Sequence, residues 1–347
     1  MEITVADLSI AATGLVVGLV VGLTGMGGGA LMTPILIIVF RVQPLTAIGS
    51  DLVASLFMKP IGGAVHWRHR TVEFGIVKWL LLSSVPFAFL GVIATRLVGS
   101  GPLMQSRVQT ALGFALLLAT AAILFKTVFD AQRGQNFRTA STVDLPVKPR
   151  PMPTILVGAI GGLIVGMTSV GSGSLIIVML MLIYPRLTSR RLVGTDLVQA
   201  VPLVGSAAFG HYIYGDFKLA LTAAILVGAV PGVLIGSRLS ARAPDLVVRP
   251  VLIFVLLASA LKLVGVNNLE LGVALVAMTF VLPPLWALID AVGWQRHEWV
   301  KAGLSRQRWM WLQGLGALFA GPGLAAPIAY FATVRPRLKA AAASTEP

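Results

Sequence analysis

The stretch GLTGMGGGALMTP, residues 22–34, decides how the rest of this sequence is interpreted. It places five glycines in a run that is otherwise apolar enough to cross a membrane. Adjacent Gly27, Gly28 and Gly29 point in all directions around a helix, and each destabilises it by about 1 kcal/mol relative to alanine. Unwound backbone at membrane depth is tolerated only where protein or a water-filled cavity surrounds it. The triplet therefore predicts a broken spanning helix or, alternatively, a re-entrant hairpin.

Three further glycines precede the triplet with a different spacing. Gly14, Gly18 and Gly22 in GLVVGLVVG are four residues apart, so they lie on one face of a helix. Small residues at this spacing let the backbones of two helices approach closely in lipid. We expect this face to pack against another helix.

The composition of the whole chain is that of a membrane protein. Of its 347 residues, 56% are hydrophobic and only 12% are charged. Several segments are about as long as the roughly 20 apolar residues that a spanning helix requires; they are residues 8–23, 74–93, 112–129, 219–235 and 251–264. The predicted fold class is an all-α polytopic integral membrane protein, placed in the bacterial plasma (inner) membrane.

The net charge of +14 does not indicate nucleic acid, because the basic residues lie between the predicted spans. There they are typical of topology determinants. The absence of cysteine excludes disulfides, thiol chemistry and cysteine metal sites. HEWVK at His297 lacks the second histidine of a zinc protease, and no nucleophile with its base is apparent. We therefore expect no enzyme activity, no metal and no cofactor.

The chain also aligns with itself at a shift of about 145 residues. GLTGMGGGALM from Gly22 aligns with GMTSVGSGSLI from Gly166, and IGSDLVAS from Ile48 aligns with VGTDLVQA from Val193. Such self-similarity predicts two repeats of about five helical segments each. The predicted boundaries are 1–130 for the first repeat, 131–153 for a polar linker and 154–265 for the second repeat, followed by a two-helix module at 266–333 and a polar tail at 334–347.

An odd number of crossings in each repeat would insert the second copy upside down. The basic clusters at 67–70, in the linker, at 186–191 and at 238–249 all fall on one face if the N-terminus is outside. This is the positive-inside pattern of inverted repeats. In the C-terminal module we predict spans at 269–290 and 309–331, although this places the final RPRLK, residues 335–339, outside and against the rule.

Helix breaks at corresponding positions of two inverted halves indicate a transporter binding site. Helix N-termini at such breaks present N–H groups and a positive dipole end, which attract anions. In the second half, hydroxyl donors suited to oxyanions are added. The predicted substrate-binding set is Gly27, Gly28, Gly29, Lys59, Thr168, Ser169, Gly171, Ser172, Gly173 and Ser174. The alternatives are purely structural breaks or a dinucleotide fingerprint, which the long apolar flanks argue against.

Together these motifs resemble the TauE/SafE family, also called the toluene-sulfonate uptake permease family. The resemblance rests on GxGGGxxxxP from Gly25, GSDL and GTDL, GHYIYGDF from Gly210 and VPGVLIGSRLS from Val230. It covers residues 14–264 and implies a carrier of sulfite, sulfonates or related sulfur-containing anions. The chain departs from the pattern in its second turn, which has Ser172 and Ser174 and lacks the proline that Pro34 supplies in the first turn.

Ionisable residues within the predicted spans face the interior or a cavity, because a charge at the bilayer centre costs about 2.5–3.5 kcal/mol. Lys59 is the candidate counter-charge for an anion, the alternatives being a pair with Asp51 or snorkelling to a surface. Proton-coupling or pathway roles are possible for a second set: Asp51, Asp196, Gln199, His66 and His211. For the two aspartates the alternative is helix N-capping, and for the two histidines it is the aromatic interface belt.

The sequence thus predicts a secondary transporter, an exporter of small anions, working by alternating access. The partners expected are a small anionic substrate, the lipid bilayer, a coupling proton or sodium ion and a second copy of the chain as a homodimer. The alternatives are an anion channel, which would line a continuous pore with the same turns, and a non-transporting membrane scaffold. No ATP-binding motif of the GxxxxGK[ST] type is present.

Overall fold

The computed structural model describes residues 5–24, 28–68, 70–97, 101–137, 148–185, 187–239, 245–318 and 322–343. Every regular element in these ranges is a helix, as the apolar composition predicts. The helices are α1 (Val5–Thr24), α2 (Gly29–Ile38), α3 (Pro44–Arg68), α4 (Phe74–Leu97), α5 (Gly101–Phe137), α6 (Pro151–Thr168), α7 (Leu175–Ile183), α8 (Ser189–Ile213), α9 (Leu219–Leu239), α10 (Asp245–Val264), α11 (Asn268–Gly293), α12 (Arg296–Lys301), α13 (Arg306–Leu318), α14 (Pro322–Ala329) and α15 (Arg335–Ala343).

The protein is a polytopic membrane protein. Among the described residues, six helices are long and apolar enough to cross a membrane, namely α4, α5, α6, α8, α9 and α11. The chain divides into two compact units: the described residues of the first lie within Met1–Ala122, Pro146–Val248 and Val255–Val266, and those of the second lie within Ile123–Leu145, Arg249–Phe254 and Asn267–Pro347.

In the first unit, α1 packs along α9 and α4 packs along α6. Glycines make both contacts possible. A Cβ at Gly18 of α1 would lie 2.3 Å from the carbonyl oxygen of Ala229, and a Cβ at Gly162 of α6 would lie 2.4 Å from that of Ser84. The predicted packing face of Gly14, Gly18 and Gly22 is thereby confirmed, and it is matched in α6 by Gly158, Gly162 and Gly166.

The contact of α1 with α9 and the contact of α4 with α6 are equivalent. The self-alignment equates α1 with α6 and α4 with α9, so each glycine-rich contact corresponds to the other. Two hydrogen bonds between the halves are equivalent in the same way. The Glu73 N–H donates to the Thr195 hydroxyl at 3.0 Å, and the Lys218 N–H donates to the Ser50 hydroxyl at 3.3 Å. Each bond holds the residue that precedes α4 or α9. The inverted orientation of the halves stays a prediction.

One predicted boundary differs from the structure. Helix α5 continues to Phe137, so the first residues of the predicted linker are helical. The predicted span at 309–331 stays a prediction, because residues 319–321, between α13 and α14, lie outside the described residues. A π-helical turn, Tyr330–Val334, then leads into α15.

The second unit has a hydrophobic core of its own. Helix α11 contacts α13 and α14, and α12 contacts α15. The buried side chains of this core are Ala287, Ala291, Trp294, Trp299, Tyr330, Val334 and Leu338. Asp290 lies beside them and accepts hydrogen bonds from the Tyr330 hydroxyl at 2.9 Å and from the Trp294 indole at 3.2 Å. The C-terminal residues thus form more than a pair of spans.

Candidate functional site

In the second half the helix breaks as predicted, because α6 ends at Thr168 and α7 begins at Leu175. At the corresponding place in the first half, α1 is described as far as Thr24 and a further helix, α2, begins at Gly29. Gly27 lies outside the described residues. In the second turn Ser169, Gly171 and Gly173 have φ angles of 61°, 118° and 98°. The two glycines are needed there because side chains rarely adopt this left-handed region.

The two turns touch each other. A Cβ on Gly29 would lie 2.1 Å from the carbonyl oxygen of Ser169 and 2.5 Å from its hydroxyl oxygen. Gly28 has more room, since the nearest atom to its Cβ position is the methyl carbon of Met58 at 3.2 Å. Glycine is therefore a steric requirement at residue 29, where the first turn meets the second.

Asp51, in the interior of α3, joins α2 to the second turn. Its side chain is fully buried, and its Oδ2 atom accepts hydrogen bonds from the Thr33 hydroxyl at 2.8 Å and from the Ser169 hydroxyl at 2.7 Å. Its Oδ1 atom has no hydrogen-bond partner among the described residues. The N-capping hypothesis is wrong for Asp51, because α3 already begins at Pro44.

Lys59 lies two turns further along α3 and is 6% exposed. Its ammonium group donates a hydrogen bond of 2.5 Å to the hydroxyl of Ser172 in the second turn. Snorkelling to a surface is thus wrong for Lys59, since the ammonium is buried, and its hydrogen bond goes to a hydroxyl rather than to Asp51. A cation of the first half is held against the glycine turn of the second half.

The second-half counterpart of Asp51 has different partners. Asp196 is buried on α8, and its Oδ1 atom accepts from the Gln199 amide at 3.0 Å. The Gln199 carbonyl oxygen accepts in turn from the Ser84 hydroxyl of α4 at 3.2 Å. Asp196 also lies inside its helix, which begins at Ser189, so N-capping is wrong here as well. Val204 occupies the position that corresponds to Lys59.

His211 is fully buried near the end of α8. Its Nε2 atom lies 3.0 Å from the carbonyl oxygen of Gly166 on α6, and its Nδ1 atom lies 3.1 Å from Oδ2 of Asp216. Arg96 of α4 forms a salt bridge with the same Asp216 oxygen and covers the ring of Tyr214. The interface-belt hypothesis is therefore wrong for His211, whereas the side chain of His66 lies outside the described residues.

The remaining hydroxyls of the second turn have separate roles. The Thr168 hydroxyl donates to the Ile164 carbonyl oxygen at 2.6 Å and accepts from the Val170 N–H at 3.2 Å, so it closes the end of α6. Ser172 and Ser174 are each 6% exposed, and Ser174 directly precedes α7. Thr168 is thus occupied within its own turn, while Ser172 faces Lys59.

Several residues of this region were not predicted from the sequence. Thr33, Ser84 and Asp216 each contact a predicted site residue, and Arg96 forms a salt bridge with Asp216. Thr33 is the polar residue of an otherwise apolar α2, a signal that could have identified it. Ser84 and Arg96 carry no comparable signal, because their partners lie in the other half of the chain.

The arrangement can supply donors to an anion. The Lys59 ammonium, the Ser172 and Ser169 hydroxyls and the helix starts after both turns lie in one buried region. The first N–H groups of a helix have no intrahelical acceptor, and the positive end of its dipole favours a negative charge. Within the described ranges, no group of three or more histidine or acidic residues could hold a metal ion.

Comparison with known proteins adds a family match over most of the first unit. The model of the sulfite exporter TauE/SafE family matches residues 10–263. The probable membrane transporter protein YjnA of Bacillus subtilis strain 168 is 37% identical over 259 residues, which are 74% of this chain and all of that protein. YdhB, another probable membrane transporter protein of the same strain, is 24% identical over 67% of this chain and 89% of its own. No solved structure matches the chain.

Proposed function

Because the chain belongs to the sulfite exporter TauE/SafE family, and its relatives YjnA and YdhB are named as probable membrane transporters, we propose that it is a secondary transporter of small anions. The substrate we propose is sulfite, a sulfonate or a related sulfur-containing anion, and the direction is export from a bacterial cell across its plasma membrane. The observation that carries this proposal is the hydrogen bond between buried Lys59 and Ser172, which sets a cation against a glycine turn.

The chemistry of the region suits an oxyanion. Such an anion has several oxygen acceptors spread over its surface, and they need donors from several directions. Lys59 offers an ammonium with three N–H donors, and the Ser172 hydroxyl, which accepts from that ammonium, can turn its own hydrogen toward a ligand. Binding would exchange the Lys59–Ser172 hydrogen bond for bonds to the anion, so no donor would be left unpaired.

The same donors belong to both halves of the chain. Lys59 and Gly29 come from the first half, whereas Ser169 and Ser172 come from the second. In transporters built from two repeats, substrate sites lie between the repeats, and rocking of one against the other alternates access. An anion held by both sets of donors would be released when the halves move, which favours a carrier over an open channel.

Two carboxyl groups accompany the single ammonium. Asp51 and Asp196 both lie close enough to Lys59 for their charges to act on it. With both ionised, the region would carry more negative than positive charge and would oppose an anion. A proton or sodium ion that enters with the anion would restore the balance. This supports coupled transport, with the proton-coupling or pathway roles assigned to Asp51, Asp196, Gln199, His66 and His211.

The proposal is tested first by ligand-induced stabilisation of the purified protein. A ligand that binds only the folded state raises its unfolding temperature by mass action. The panel contains sulfite, sulfate, thiosulfate, sulfoacetate, taurine and simple carboxylates. We expect a sulfur-containing anion to raise the unfolding temperature of wild-type protein but not of Gly28→Leu. If folded wild-type protein responds to no anion of the panel, the proposed binding site is overturned.

Transport itself is measured with the responding anion in proteoliposomes. A carrier gives saturable uptake and counterflow, in which unlabelled anion inside accelerates the entry of labelled anion. Single-channel currents in planar bilayers would instead establish the channel alternative. If the protein binds the anion but moves none of it across the membrane, the result would support the scaffold alternative.

A further inference from the structure

His211 lies between two hydrogen-bond acceptors. Its Nε2 atom is 3.0 Å from the Gly166 carbonyl oxygen, and its Nδ1 atom is 3.1 Å from Oδ2 of Asp216. A carbonyl oxygen can only accept. The Asp216 carboxylate is also an acceptor, because Arg96, which does not lose its proton in proteins, forms a salt bridge with the same oxygen.

A neutral imidazole cannot satisfy both contacts. It has one N–H donor and one nitrogen lone pair, so one of its nitrogens would face an acceptor with a lone pair. An imidazolium carries a hydrogen on each nitrogen and donates to both Gly166 and Asp216. The hydrogen-bond geometry therefore points to a charged, doubly protonated ring.

The surrounding elements supply few other charges. Helices α3, α4, α6 and α7 pack against α8. The described parts of α6 and α7 contain no titratable residue. Helix α4 contributes Arg96, and α3 approaches through Gly49, whose Cβ would lie 3.2 Å from the His211 Cβ atom. The ionisable residues further along α3 are Asp51, Lys59, His66 and Arg68. Arg96, Asp216 and His211 thus form a group of two cations around one carboxylate.

The group connects the protein surface to the second glycine turn. The side chains of Arg96 and Asp216 are 27% and 10% exposed, and both lie at helix ends, Arg96 in the last turn of α4 and Asp216 in the loop after α8. On the other side, Gly166 lies in the last turn of α6, just before Ser169, whose hydroxyl binds Asp51. A change at His211 therefore acts next to the turn that contacts Lys59.

We propose that His211 is a proton-binding site and that the proton it exchanges is the ion coupled to anion movement. The coupling role rests on the proposed transport function. When the imidazolium releases one proton to water by way of Asp216, a nitrogen lone pair faces either Gly166 or Asp216 and that hydrogen bond is lost. Proton release thereby loosens the contact of α8 with α6 or with the loop after α8, and proton binding restores it.

The protonation state is measured directly by nitrogen NMR of histidine-labelled protein in lipid vesicles. The chain has four histidines, so the full-length variant with His66, His69 and His297 replaced by glutamine leaves His211 as the single labelled ring. We expect both ring nitrogens to carry hydrogen at neutral pH and one to lose it as the pH rises. A ring with a single hydrogen throughout the range overturns the proposal.

Asp216→Asn in the same background provides an internal check. An amide can donate to Nδ1, so the second proton is no longer required, and we expect a singly protonated ring at neutral pH. This variant also keeps the test decisive if a substitution of His211 itself does not fold. A ring that stays doubly protonated beside Asn would show that the Asp216 carboxylate does not stabilise the second proton of His211. This result would overturn the proposed site.

The coupling role is tested by anion uptake into proteoliposomes with and without an inward proton gradient. We expect the gradient to increase uptake by the wild type several-fold and to leave uptake by His211→Gln unchanged. His297→Gln is the matched control, because His297 is an exposed histidine of the C-terminal unit, and it should respond like the wild type. An unaltered response of His211→Gln, or uptake by the wild type that follows a sodium gradient at constant pH, overturns the coupling role.

Wild-type protein that moves no anion overturns transport and, with it, the coupling role. The NMR measurement needs no transport, so it still decides whether His211 binds the second proton.

Discussion

Gly29 and Ser169 lie in direct contact, although they belong to different halves of the chain. The contact leaves no room for a side chain at residue 29, because a Cβ there would approach the Ser169 carbonyl oxygen to 2.1 Å. Moving Ser169 away would cost free energy, since its backbone is left-handed at φ 61° and its hydroxyl is bonded to buried Asp51. The two turns are therefore held together by close packing as well as by hydrogen bonds.

Gly29→Ala should destabilise the protein. Inserting one methyl group into a closely packed contact costs about 1–3 kcal/mol, which we expect to see as a lower unfolding temperature in detergent. Gly272→Ala is the control, because a Cβ at this position of α11 would meet nothing within 4 Å. Alanine there should be neutral or stabilising by up to about 1 kcal/mol, as helix propensity dictates. Equal unfolding temperatures for the two variants would contradict the close contact.

Lys59→Gln should weaken anion binding without unfolding the protein. A hydrogen bond to a charged group contributes about 1.5–3 kcal/mol, which corresponds to an affinity about 10- to 150-fold lower. The measurement is a titration of the purified variant with the anion that stabilises the wild type. Lys78→Gln, which removes an exposed cation of α4, should bind as the wild type does. If Lys59→Gln retains full affinity, Lys59 is not part of the anion site.

Thr33→Val should reduce stability more than Thr120→Val does. Both threonines are buried, but Thr33 donates to Asp51, whereas Thr120 donates to the Leu116 carbonyl oxygen of its own helix. Valine at residue 33 leaves the Asp51 carboxyl group with the Ser169 hydroxyl as its described donor, at a cost of about 1–3 kcal/mol. Chemical or thermal unfolding of both variants gives the comparison, and an equal loss would show that the Thr33–Asp51 bond contributes little.

The sequence predicts the helical breaks and their two-fold occurrence because both depend on local residue types. Adjacent glycines disfavour helix wherever they occur, and Gly14, Gly18 and Gly22 mark a close helix contact through their spacing alone. The partners of the buried polar groups could not be predicted in the same way. Ser84 reaches Gln199, and Arg96 reaches Asp216, only because α4 packs against α8, and no local pattern specifies that packing.

The expectation that Asp51 caps a helix fails for a related reason. The motif GSDL looks like a helix start, since serine and aspartate are frequent caps. In the structure α3 begins earlier, at Pro44, and the Ser50 hydroxyl serves the start of α9 instead, by accepting from the Lys218 N–H. The motif therefore caps a helix of the other half and leaves Asp51 free to face the turns. Only the packing of α3 against α9 reveals this division of roles.

Tyr330→Phe should destabilise the C-terminal unit and leave anion binding unchanged. The Tyr330 hydroxyl donates to Asp290 at 2.9 Å, and Arg335 and Trp294 donate to the same carboxylate at 3.2 Å. Phenylalanine keeps the packing of the ring in the core but removes one donor to a charged acceptor, a loss of about 1.5–3 kcal/mol. Tyr212→Phe is the control, since that side chain is exposed.

Hydrogen exchange measured by mass spectrometry separates the two units in this experiment. Amide protection should fall in α11 and α15 of Tyr330→Phe, because local opening of a helix follows the stability of the contacts that hold it. Protection of α3 and α7 should match that of the wild type, since the residues of the candidate anion site all belong to the first unit. Loss of protection in α3, or weaker anion binding, would show instead that the C-terminal unit supports the site energetically.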